Sequence, residues 1–82
     1  MVVVLRESGF RFVIYKDDHE PGHIHVWGDG EVIVILSGTD GKPELRRNTG
    51  ASKADIRRIM RIVAREQTQL IARWQEIHDG TD

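Results

Sequence analysis

The sequence predicts an α+β protein: a small antiparallel β-meander of three to four strands packed on one long C-terminal helix. Three observations lead there. Apolar and polar residues alternate in short runs through the first half, the period of a half-buried strand. Turn residues break those runs every few positions. From Ser52 onward the period becomes that of a helix with one apolar stripe. At 82 residues, the chain reads as a single domain spanning 1–82, with room for a limited core.

Each element has its own signal. Val2–Leu5 is a short leading strand, and Glu7–Gly9 is a turn. In the next strand Phe10, Phe12 and Ile14 share one face, while Arg11, Val13 and Tyr15 share the other. Asp17–Gly22 is a loop by its Asp, Pro and Gly content. His23–Trp27 is a second alternating strand, and Gly28–Gly30 is a tight hairpin connection. Glu31–Leu36 is the third main strand and is apolar on both faces. Ser37–Gly50 is a turn-rich connector with a short strand at Glu44–Arg47. Ser52 opens the helix as its cap, with Asp55 three residues on. The helix runs to about Ile77, and Gly80 supplies a stop. Its stripe is Ile56, Ile59, Met60, Val63, Leu70, Ile71, Trp74 and Ile77. The helix covers one sheet face, to which Phe10, Phe12, Ile14, Ile24 and Val26 contribute.

Composition narrows the function classes. The absence of cysteine excludes disulfides and thiolate metal sites. Val2–Leu5 and Val32–Leu36, the longest apolar runs, are too short to span a bilayer. The N-terminus has no ordered charged, apolar and small-residue signal. A cytoplasmic protein without a membrane role is expected. With a formal net charge of −1, no global field draws nucleic acid to it. Local patches remain, because Arg46, Arg47, Lys53, Arg57, Arg58, Arg61, Arg65 and Arg73 all fall in the second half.

The densest chemistry lies in "DDHEPGHIHVW", where His19, His23 and His25 fall within seven positions around Pro21-Gly22. Strand geometry puts His23 and His25 on one face with Trp27, and Ile24 and Val26 on the other. His19, across the turn, is placed to fold back near His23. Three readings compete. Imidazoles titrate near neutrality, so a pair can take one proton and give another, as metal-free RNA cleavage requires. Lys16 or Arg46 and Arg47 would then hold a phosphate. The three histidines, with oxygen ligands from Asp17, Asp18 and Glu20, are alternatively the makings of a zinc site. The spacing matches no zinc-family signature, however, and metal-free protein is expected. Third, the histidines simply belong to a binding surface or tie down their turn. His19, His23 and His25 are the candidate catalytic residues; no metal and no cofactor are assigned.

Two surfaces offer contacts. Arg46, Arg47, Lys53, Arg57 and Arg61 are the candidate nucleic-acid-binding residues, although Asp55 and Glu66 dilute the helical part of the patch. On the sheet face away from the helix, Val13, Tyr15 and Trp27 join one side of Val32–Leu36, and a two-sided apolar strand must bury both sides. Those three residues are the candidate partner interface, for a second copy of the chain or for a small partner protein encoded nearby.

"E-P-G-H-I-H-V", Glu20–Val26, resembles the E-P-P-H-x-H-V signature of the bacterial domain-of-unknown-function family DUF4160. "VLRESGFRFVIYKDD" (Val4–Asp18) resembles the family's strand, glycine and aromatic strand, and "WQEIH" (Trp74–His78) its helix ending. Gly22 departs from the pattern where the family usually has a second proline, which loosens the turn. The resemblance implies a protein often encoded beside another small protein, and some members are regarded as toxin components of toxin–antitoxin pairs. It carries over no catalytic mechanism, but it marks the turn, with His23, His25 and Pro21, as the functional element. The expectation is a toxin acting through that turn on RNA or a translation-linked target. The alternative is a non-enzymatic protein- or DNA-binding module, and a metal-binding protein stands third.

Overall fold

The computed structural model describes residues 1–79. Five strands come first: β1 (Val2–Glu7), β2 (Phe10–Ile14), β3 (His23–Trp27), β4 (Glu31–Ile35) and β5 (Glu44–Thr49). Two helices follow, α1 (Lys53–Arg65) and α2 (Gln67–Asp79). The strands form one sheet in the order β1-β2-β3-β4-β5, with every neighbouring pair antiparallel. The α+β meander is as expected. It has five strands instead of three to four, and its helical layer is two helices instead of one.

Both edge strands run longer than the expected Val2–Leu5 and Glu44–Arg47, for physical reasons. Ser8 and Gly9 take positive φ, 54° and 82°, the backbone of a two-residue turn whose twist suits a hairpin. β1 therefore pairs with β2 along its length, from Val2 opposite Ile14 to Glu7 opposite Phe10. At the other edge every residue of β5 is exposed. It forms because β4 is buried on one face and half-buried on the other, and its second row of backbone N–H and C=O groups needs partners. Hydrogen bonding, and not apolar burial, makes this strand, so hydrophobic periodicity shows only part of it. Gly30 lets its far end close: a Cβ there would stand 2.1 Å from the Thr49 carbonyl oxygen.

The core lies between one sheet face and the helices. Phe10, Phe12, Ile14, Ile24 and Val26 are in it as expected, with Val32, Val34 and Leu36. Ile59, Ile62, Val63, Leu70 and Trp74 meet them from the helices, while Ile56, Met60, Ile71 and Ile77 pack partly buried at the margin. Ile62 is the buried helical residue that the predicted stripe lacks.

The helix is interrupted at Glu66, whose φ of −99° and ψ of 11° leave the helical range. Between Val63 and Leu70 the one apolar residue is Ala64, which is exposed, so no large side chain ties this stretch to the core. Gln67 instead donates from Nε2 to the carbonyls of Leu36 (2.7 Å) and Gly41 (2.9 Å). Arg65 ion-pairs with Glu7 of β1, and its Nε donates to Glu66 at 2.9 Å. At the other end of α1 the expected cap is present: the Ser52 hydroxyl accepts from the Asp55 N–H at 3.1 Å. The predicted stop at Gly80 lies outside the described residues. No helix among them is long and apolar enough to cross a membrane.

Candidate functional site

The site grows from the alternation of β3. Ile24 and Val26 point into the core and are fully buried, which forces His23, His25 and Trp27 onto the opposite, outer face. Cross-strand register then chooses their neighbours. His25 lies in a row with Val13, Ile33 and Arg47, and Trp27 in a row with Arg11, Glu31 and Thr49. The loop after β2 closes over this face. The Asp18 N–H donates to the Tyr15 carbonyl at 3.1 Å, which turns the chain back across the strands. The Glu20–Pro21 peptide in this loop is cis.

The result is a small polar centre. One oxygen of Asp18, Oδ2, stands 3.1 Å from His23 Nε2 and 2.9 Å from His25 Nε2. His23 Nδ1 donates to the Pro21 carbonyl at 2.9 Å, and His25 Nδ1 lies 3.0 Å from Glu31 Oε2. The two rings are 5.2 Å apart between centroids. Tyr15 packs edge-on against His25 at 4.6 Å, and its hydroxyl accepts from Trp27 Nε1 at 3.3 Å. Only 9% of the His23 side chain and 13% of the His25 side chain reach solvent. At that burial, unpaired polar atoms would be costly.

The structure joins some of the sequence-predicted residues and separates others. His23 and His25 come together, and all four of their ring nitrogens have partners. His19 does not join them: it is exposed and has no hydrogen bond or ion pair among the described residues. Val13 is already buried within the single chain, and Tyr15 and Trp27 are half-buried. Among the described residues Met1 and Leu45 are the exposed large hydrophobic side chains. The loop covers part of the outer face, where Tyr15, Trp27, Ile33 and Ile35 stay half-buried.

Beside the centre runs a groove of about 450 Å³, lined by Asp18, His19, Glu20, His23, Ile33, Arg46 and Arg47. On a regular strand adjacent arginines would point to opposite faces. Here Ile33 pairs with Arg47 and Val34 with Leu45, so Arg46 is the extra residue of a bulge. That irregularity lets both guanidinium groups line one groove. Lys16 does not line it. Lys53, Arg57 and Arg61 belong to α1, in the layer across the sheet from the histidines. The candidate nucleic-acid residues therefore divide into two separate sets.

Sequence reasoning offered Asp18 only as one oxygen ligand among three, and it missed Glu31. A signal for Glu31 was present. A hairpin that pairs Trp27 with Glu31 puts Glu31 on the histidine face, diagonal to His25.

Fold and site together define a class: a five-stranded meander with a helical layer on one face and, on the other, a His-x-His pair under a carboxylate. The chain belongs to the family described as Domain of unknown function (DUF4160), which matches residues 9–75. The match contains all of Glu20–Val26, whereas the resemblances at Val4–Ser8 and Glu76–His78 lie outside it. Neither the comparison with curated proteins nor that with solved structures gave a match.

Proposed function

We propose that this protein is the toxin component of a bacterial toxin–antitoxin-like pair, acting in the cytoplasm on RNA through the groove beside the histidine centre. The carrying observation is the bulge that gathers Arg46 and Arg47 into one groove with His19, His23 and Asp18. Two guanidinium forks suit the oxygens of a phosphodiester. Asp18 and Glu20 give the groove an acceptor side, suited to hydroxyl and amino donors of the nucleotide. His19 carries the exposed imidazole free to exchange a proton with bound substrate. The antitoxin is a small protein encoded nearby that seats over the groove and blocks it.

Induction in a bacterial host is the test. Growth should arrest, and co-expression of the neighbouring gene product should relieve the arrest. Arg46→Ala/Arg47→Ala should abolish both the arrest and RNA retention on a filter, while Arg57→Ala/Arg61→Ala should leave both intact. A protein that is harmless on induction and loses nucleic acid only with the Arg57 and Arg61 changes belongs instead to the binding-module class.

A further inference from the structure

The hydrogen-bond arithmetic of the histidine centre leaves something over. His23 gives its Nδ1 proton to the Pro21 carbonyl, and His25 gives its Nδ1 proton to Glu31. A neutral imidazole has only one such proton. Both Nε2 atoms then present lone pairs, and both aim at Asp18 Oδ2, at 3.1 and 2.9 Å. A carboxylate oxygen only accepts. With both rings neutral, three electron-rich atoms converge with no hydrogen among them; two kinds of charge fill that gap, a second proton on a ring or one metal ion held by all three atoms.

We infer that Asp18, His23 and His25 form a binding site for one divalent transition-metal ion of the zinc type. Four features fit. The ligand set is two imidazoles and one carboxylate, a set that zinc accepts with a fourth position open. The ligand atoms all lie within 4.8 Å of one another. Zinc bonds of ~2.0–2.2 Å in tetrahedral geometry put neighbouring ligand atoms roughly 3.3–3.6 Å apart, so the two His–Asp contacts open by a few tenths of an ångström and the His–His pair, within 4.8 Å, closes toward the same range. Finally, ligating histidines usually give their other ring N–H to a carbonyl or a carboxylate, which fixes the tautomer and orients the ring. Pro21 and Glu31 do that here. His19 is not a ligand. Asp18 and His23 also line the groove, which places the site beside Arg46 and Arg47. The site does not depend on RNA being the target.

Chelator-stripped protein should take up one zinc ion per chain from ZnCl2, measured by calorimetry and by elemental analysis after dialysis. Its melting temperature should rise with zinc concentration, as for any ligand that favours the folded state. Binding should weaken in acid, because protons compete with the metal for the ligand atoms. Cobalt(II) should give the visible bands of a four- or five-coordinate ion. Asp18→Asn and His23→Gln should abolish uptake, with folding checked by circular dichroism. His19→Ala should bind as the wild type does, and Glu31→Gln should bind ~10–100-fold more weakly. Wild-type protein that keeps no zinc through dialysis and melts unchanged in its presence overturns the inference, whatever the variants do. So does uptake that survives Asp18→Asn and is lost in His19→Ala.

Discussion

Ile24 and Val26 on one side of β3, and His23 and His25 on the other, occupy the same five-residue strand and lose most of their contact with water. They are buried by different means. The inner pair is covered by apolar side chains from two helices, an attraction without direction that is roughly proportional to area. The outer pair is covered by a loop, a tyrosine and two carboxylates, through bonds that work at one distance and angle. An apolar core of the right volume accepts many sequences. A centre in which every ring nitrogen has a chosen partner accepts few. The inner face makes the fold, and the outer face is where this chain commits specific chemistry.

The largest expected effect breaks the inner face. Phe12 is fully buried at its centre, and Phe12→Ala should cost about 3–5 kcal/mol in denaturant unfolding. That is a large share of what a small domain has. The outer face should be less costly to break. In chelator-treated protein, His25→Ala strands the Glu31 carboxylate while Asp18 keeps its contact with His23, and it opens little apolar volume; a loss of about 1–3 kcal/mol is expected. If His25→Ala proved the more costly change, the outer network would be the principal support of the sheet and the contrast would reverse.

Sequence showed the inner face well because apolar alternation is what builds it. Phe10, Phe12, Ile14, Ile24 and Val26 were legible, and so was the Ser52 cap, whose signal is local. β5 was legible only in part, since its burial pattern is that of a loop and its hydrogen bonds come from β4. The break at Glu66 carries no proline or glycine, and its anchor, Gln67, bonds to carbonyls more than twenty residues away in the chain. The outer face was half legible. Strand period fixed the direction of His23 and His25, but Asp18 reaches them by a loop path, Glu31 by register, and Arg46 by a bulge. None of these three is periodic in the sequence. His19 is near the other histidines along the chain, but the loop leaves it exposed, outside their polar centre.

The smallest expected effect lies at the edge where the two layers meet. Glu7, at the end of β1, bonds to Arg65 at the end of α1. Hydrogen bonding from that guanidinium holds the Glu7 carboxyl below its ordinary range, and the partner effect raises Arg65 above its own. A carboxyl lowered in the folded state stabilises the fold once pH is above its unfolded value. That contribution is lost as pH falls through the folded value. Both side chains are partly exposed, so salt screens the pair and its effect is small. Glu7→Gln should therefore unfold slightly more readily than wild type at neutral pH in low salt. The gap should close as the buffer is taken into the acid range where carboxylates protonate, and close again at neutral pH in high salt. Urea midpoints for the two proteins across pH and salt measure it directly. A gap that persists in acid or in high salt would show that Glu7 holds β1 to α1 by packing, and that the layers are tied at this edge by the same undirected contacts as the core.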